Sequence, residues 1–129
     1  DFSIELFFIQ SKTSEAFNTK EIGTFGDGVT DMFRPSESVK KKMNDLVNEK
    51  YKLIQLILKN YEYIKSKKIN LLYITPGIYI EDDNHISTKN RIIETLLNLD
   101  IFNKKEISIQ ILDKKYIRKQ YELSKVQNS

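Results

Sequence analysis

The chain has 129 residues, 40% hydrophobic and 30% charged, which suits one globular domain spanning 1–129 and leaves little room for two. It has no cysteine, which excludes disulfides and thiolate zinc sites and fits a reducing, cytoplasmic interior. A formal net charge of +3 supports an anionic partner such as nucleic acid without demanding one, and no apolar stretch approaches the roughly 20 residues of a membrane span.

The opening Asp1-Phe2-Ser3-Ile4 carries neither a starting Met nor a charged leader. It reads as a cut end, so an N-terminally truncated piece is expected. Ile4 to Gln10 is apolar on both faces and predicts an interior strand covered on both sides. Asn18 to Phe33 sets Ile22, Phe25, Val29, Met32 and Phe33 at helical spacing. Gly23, Gly26 and Gly28 imply close backbone packing there, and Pro35 ends the helix. Ser36 to Lys68 carries an apolar stripe from Val39 and Met43 through Leu53, Ile54 and Ile57 to Tyr61 and Ile64. The stripe predicts one long helix, with Lys65, Lys67 and Lys68 at the negative end of its dipole.

Asn70 to Thr75 predicts a short strand, stopped by Pro76-Gly77. Glu81 to His85 reads as a solvated turn, followed from about Ser87 by a helix with Ile92, Ile93, Leu96 and Leu97 inward. Glu106 to Leu112 predicts a third strand, and Asp113 the N-cap of a last helix holding Ile117 and Tyr121 on one side. Strands alternating with helices argue an α/β unit: a mostly parallel sheet of about three strands, right-handed crossovers and helices on its faces.

The first strand ends in Gln10-Ser11-Lys12 rather than in turn residues. Strand alternation puts Gln10 and Lys12 on one face and Ser11 on the other. A metal-dependent phosphodiesterase needs a ligand for a divalent cation and a positive group near the phosphate, both on rigid backbone. An i, i+2 pair at the end of a buried strand supplies that geometry.

These residues resemble the Gln-x-Lys variant of PD-(D/E)XK nucleases of the Mrr-like branch, in which Gln replaces the usual acid. More narrowly, "FFIQSKTSEAFNTKEIGTFGDGVTDMF" resembles the abortive-infection phage-resistance (AIPR) family, and "LLYITPG" and "ISIQILD" are similar to its two later strands. The resemblance implies a restriction-endonuclease-like core and Mg²⁺-dependent cleavage of DNA or RNA in a bacterial phage-defence protein. It implies that Gln10 and the Ser11 carbonyl ligate Mg²⁺, while Lys12 orients water or stabilises charge on the scissile phosphate.

The family pattern also requires an Asp on the preceding strand of a hairpin. Asp1 lies roughly 30 Å from Gln10 along an extended run, and Glu5 points to the opposite face about 17 Å away. The missing Asp is therefore expected before Asp1, leaving half of an active site and a piece that is inactive alone.

Glu15, Asp27 and Asp31 are candidate outer carboxylates, although such residues more often cap or solvate a helix. Lys40, Lys41 and Lys42, with further lysines along the long helix, are candidates for tracking a phosphate backbone. Interspersed acids make a solvated face the better reading. His85 beside Asp82 and Asp83 reads as a polar turn rather than a metal site. The alternative function is a non-catalytic nucleic-acid-binding or oligomerisation module. A first strand without its hairpin partner leaves an open edge, so a homodimer is expected, with Tyr51, Leu58 and Tyr63 as interface residues.

Overall fold

A computed structural model describes residues 2–14, 18–34 and 45–127. Strands β1 (Phe2–Ser11), β2 (Ile64–Ile74) and β3 (Ile107–Leu112) form a parallel sheet in the order β1-β2-β3. The helices are α1 (Thr19–Phe33), α2 (Asp45–Lys59), α3 (Asp83–Leu97) and α4 (Lys114–Gln127). The expected α/β architecture, with neighbouring parallel strands separated by helices, is thus present.

One face of the sheet is packed. It carries Leu6 and Phe8 of β1, Ile69, Leu71 and Tyr73 of β2, and Ile107, Ile109 and Ile111 of β3, joined by Ile22, Phe25, Val29 and Phe33 of α1 and Ile92 and Leu96 of α3. Full burial, as at Ile22, Ile69, Leu71, Ile92 and Leu96, contributes on the order of 1.5–3 kcal/mol per side chain. The other face is open at β1, where Phe7 is 57% and Ile9 60% exposed. This corrects the expectation of a strand covered on both sides. When strands follow one another in sequence order, successive right-handed crossovers bring their helices to the same face, so the described crossover helices supply no second layer.

Helix α1 starts where Asn18 accepts a hydrogen bond from the Glu21 amide, an N-cap. The expected close backbone packing occurs at Gly26, where a Cβ would lie 2.5 Å from Ile92 Cγ1 of α3.

The helix expected from Ser36 to Lys68 is shorter. Helix α2 ends at Lys59, a single 3-10 turn spans Tyr61–Tyr63, and Ile64 to Lys68 belong to β2. The reason is pairing across the sheet: Glu5 stands opposite Lys68, and the Lys67 amine lies 3.9 Å from a Glu106 carboxylate oxygen. Cross-strand partners absorb lysines that resemble a helix terminus. Of the expected interface residues, Leu58 packs against the core and Tyr63 is 66% exposed. Pro35, Lys40, Lys41 and Lys42 lie outside the described residues.

Helix α3 begins earlier than expected. Asp82 accepts from the His85 amide at 2.8 Å and caps the helix, so Glu81 to His85 is not a solvated turn. Paired acids suit an N-cap and the positive end of a helix dipole. His85 is buried, its Nδ1 lying 2.9 Å from the Ile80 carbonyl and 2.9 Å from Asp82 Oδ1. The expected Asp113 cap is present, accepting from the Tyr116 amide at 2.9 Å. No described helix is long and apolar enough to cross a membrane.

Candidate active site

Parallel strands finish on one edge of the sheet; open α/β folds place ligands on that edge where the strand order reverses, and since the order β1-β2-β3 has no reversal, a site here rests on the side chains gathered at the edge. Here Ser11, Ile74 and Leu112 stand in register on that edge. Gln10 pairs with Tyr73, and the Lys12 amide donates to the Ile74 carbonyl at 2.9 Å, extending the ladder one bond beyond β1. The backbone of Gln10-Ser11-Lys12 is therefore held by the sheet. Gln10 falls on the packed-face side, and Ser11 falls on the other, as alternation predicts.

The first turn of α1 meets this strand end. Glu21 accepts from the Lys12 ammonium through Oε1 and from the Tyr73 hydroxyl at 3.0 Å through Oε2. The Lys12 and Glu21 side chains are 19% and 32% exposed. The Lys12 hydrogen bond, opposed by desolvation and aided by Tyr73, holds the Glu21 carboxyl below its ordinary value. Burial, followed by the Glu21 hydrogen bond and charge, pushes the Tyr73 hydroxyl up to about 12. Around this network opens a cleft of about 570 Å³ whose walls include Gln10, Ser11, Lys12, Asn18, Lys20 and Thr24.

Glu21 and Tyr73 were not singled out from sequence. The available signal was Asn18-x-x-Glu21, the spacing of a capping box, which sets Glu21 on the first helical turn. Tyr73 looked like one more apolar position of a buried strand.

Other candidates go elsewhere. Asp27 pairs with Arg91 at 3.0 Å across the exposed α1–α3 seam, and Asp31 is exposed. Glu15 lies outside the described residues, as do the three consecutive lysines. Glu5 accepts from Asn70 at 3.1 Å, and its register puts it opposite to Gln10 in facing, as expected.

Among the described residues no group of three His, Cys, Asp or Glu side chains stands close enough to hold a metal. The cleft offers one carboxylate, already engaged by Lys12, with an amide and a main-chain carbonyl. That set does not fit a hard cation such as Mg²⁺, which needs several anionic or water oxygens in octahedral array. What the arrangement can do is present an oriented ammonium to an anion: Lys12 has three donors, and Glu21 engages one. The chain matches no family model, no curated protein and no solved structure.

Proposed function

We propose that the chain is a nuclease-type domain of a bacterial phage-defence protein of the abortive-infection (AIPR) kind, with a restriction-endonuclease-like core. In this reading the β1 cleft takes a phosphodiester of DNA or RNA. The observation that supports it is the Gln10-x-Lys12 pair held by the sheet at its carboxyl edge, with the Lys12 ammonium steered by Glu21. Lys12 would donate to a non-bridging phosphate oxygen and offset the charge that builds there, a form of electrostatic stabilisation. Glu21 would hold the ammonium in place, while Gln10 and the Ser11 carbonyl would contribute neutral oxygens.

A specific observation favours a second reading, a non-catalytic nucleic-acid-binding or oligomerisation module: no three-ligand metal group exists among the described residues. One experiment separates the two. Lys12→Ala is expected to abolish any cleavage of plasmid or labelled RNA, assayed with a divalent cation in the buffer, while circular dichroism stays unchanged. Cleavage that survives Lys12→Ala overturns the site assignment, and oligonucleotide binding without any cleavage supports the second reading.

The proposal extends to a cytoplasmic homodimer. Its support is the position of β1 at the sheet edge among the described residues, with Phe7 and Ile9 more than half exposed, since an open edge beside apolar surface favours association. A monomer by light scattering at high micromolar concentration would refute the dimer.

A further inference from the structure

Among its described side chains, helix α4 buries none. Every side chain from Lys114 to Lys125 is exposed, and none belongs to the core. Packing therefore does not explain its composition, in which Lys114, Lys115, Arg118, Lys119 and Lys125 face a single acid, Glu122. Lys114 and Arg118, like Lys115 and Lys119, are four residues apart, where like charges repel across one helical turn. Together these four cations line a groove of about 320 Å³ with Ile78 and Glu122. Bringing a polyanion into the groove relieves that repulsion and releases counterions.

The groove is held rigidly. The Lys114 amide donates to the Gly77 carbonyl at 2.9 Å, and the Asp113 carboxylate accepts from the amides of both Tyr79 and Tyr116 at 2.9 Å. These bonds clamp the start of α4 to the loop after β2. The start also lies on the same sheet edge as the β1 cleft, since Leu112 is in register with Ile74 and Ser11. Two strand spacings separate them, about 10 Å, or about three nucleotides of a stacked strand at 3.4 Å each.

We propose that the α4 groove is a second nucleic-acid site, which grips the phosphate backbone and carries the strand away from the β1 cleft. Its direction rests on the proposed reading of that cleft, whereas its existence rests on the α4 cations alone. A nucleic acid fits better than a lipid surface. The less basic side of α4 intersperses Tyr116, Ile117 and Leu123 with Gln120 and Ser124, a poor apolar face for an interfacial helix. Exposed Tyr121, with the Lys125 amine 4.7 Å from its ring centroid, offers instead a stacking platform beside positive charge.

The test is fluorescence anisotropy of a labelled oligothymidine and oligouridine, each about 20 nucleotides long, across a salt series. Wild type is compared with Lys12→Ala and with the combined Lys114→Gln, Lys115→Gln, Arg118→Gln and Lys119→Gln variant. All four sites are exposed, so the fold is expected to hold, and circular dichroism checks it. The combined variant should bind at least about tenfold more weakly at low salt, and its log K against log salt slope should be shallower by about 2–3. An unchanged affinity and slope overturns the proposal. So does a loss confined to phosphatidylserine vesicles with oligonucleotide binding intact. If Lys12→Ala changes nothing while the combined variant still loses affinity, the cleft reading fails and the α4 site stands.

Discussion

Gly26→Ala is expected to destabilise the protein although alanine is the better helix former. Substituting Gly by Ala inside a helix normally gains about 0.5–1 kcal/mol. At Gly26, however, the new Cβ would lie 2.5 Å from Ile92 Cγ1, 2.6 Å from Cδ1 and 2.9 Å from Cγ2. Ile92 is 1% exposed and, being β-branched, has little rotamer freedom with which to move aside. Reaching ordinary carbon–carbon contact near 3.5–4 Å requires α1 and α3 to part by about 1 Å. Overpacking of this kind costs about 1–3 kcal/mol, so after the helix gain the net loss should be about 1–2 kcal/mol, or a Tm lower by about 3–8 °C. Gly28, two residues on and so on the opposite side of the helix, has nothing within 4 Å of its would-be Cβ. Gly28→Ala should therefore raise Tm by about 2–4 °C. Thermal and urea unfolding followed by circular dichroism measure both. The cycle with Ile92→Ala adds a stricter check: removing the obstructing atoms should make the pair less damaging than the sum of its parts, by about 1 kcal/mol. A Gly26→Ala protein as stable as Gly28→Ala, or strict additivity with Ile92→Ala, would refute the close-approach argument.

Three further outcomes are expected. Glu21→Gln should lower the Tyr73 pKa from about 12 but leave it above the free value, because burial is the largest cause; alkaline absorbance titration against Tyr73→Phe reads this. With the folded value raised, Tyr73 stabilises the fold fully below about pH 10 and loses that contribution as pH climbs towards 12. Burial pushes the Asp113 carboxyl up, but the Tyr116 and Tyr79 amides outweigh it and the net shift is downward. Its contribution is therefore present above pH about 4 and lost as pH falls through the lower folded value. Asp113→Ala should cost about 1–3 kcal/mol at neutral pH and flatten the acid limb of the stability curve; an unchanged acid limb would count against the clamp. Calorimetry of this chain with Mg²⁺ or Mn²⁺ should show no tight site, since its cleft lacks the oxygen set a hard cation needs, and sub-millimolar binding would contradict that.

Periodicity made three strands and α1 legible, because β1, Asn70 to Ile74 and Ile107 to Leu112 each carry the apolar run that a covered strand needs. Lys65, Lys67 and Lys68 hid the first half of β2. Glu5, in register with Lys68, and Glu106, close to Lys67, come from distant segments, and no local pattern reveals them. The open face of β1 was equally hidden: Phe7 and Ile9 are as apolar as Leu6 and Phe8, and only the order of strands decides which pair is packed. In the candidate site, Gln10 and Lys12 were legible from strand alternation. Glu21 joined them only once α1 was docked, since the two residues are nine apart in sequence and Glu21 belongs to the helix rather than the strand end.

No strand of the sheet pairs with a neighbour close in sequence: Leu6 meets Ile69, and Ile69 meets Ile107. Such contacts close only after long loops have been ordered, which slows folding relative to helices of the same length. During synthesis the β1 segment waits for β2 to be made, several seconds at about 5–20 residues per second. Through that interval "ELFFI" has no ladder partner from β2, and a nascent chain in this state is a natural client for a chaperone at the ribosome.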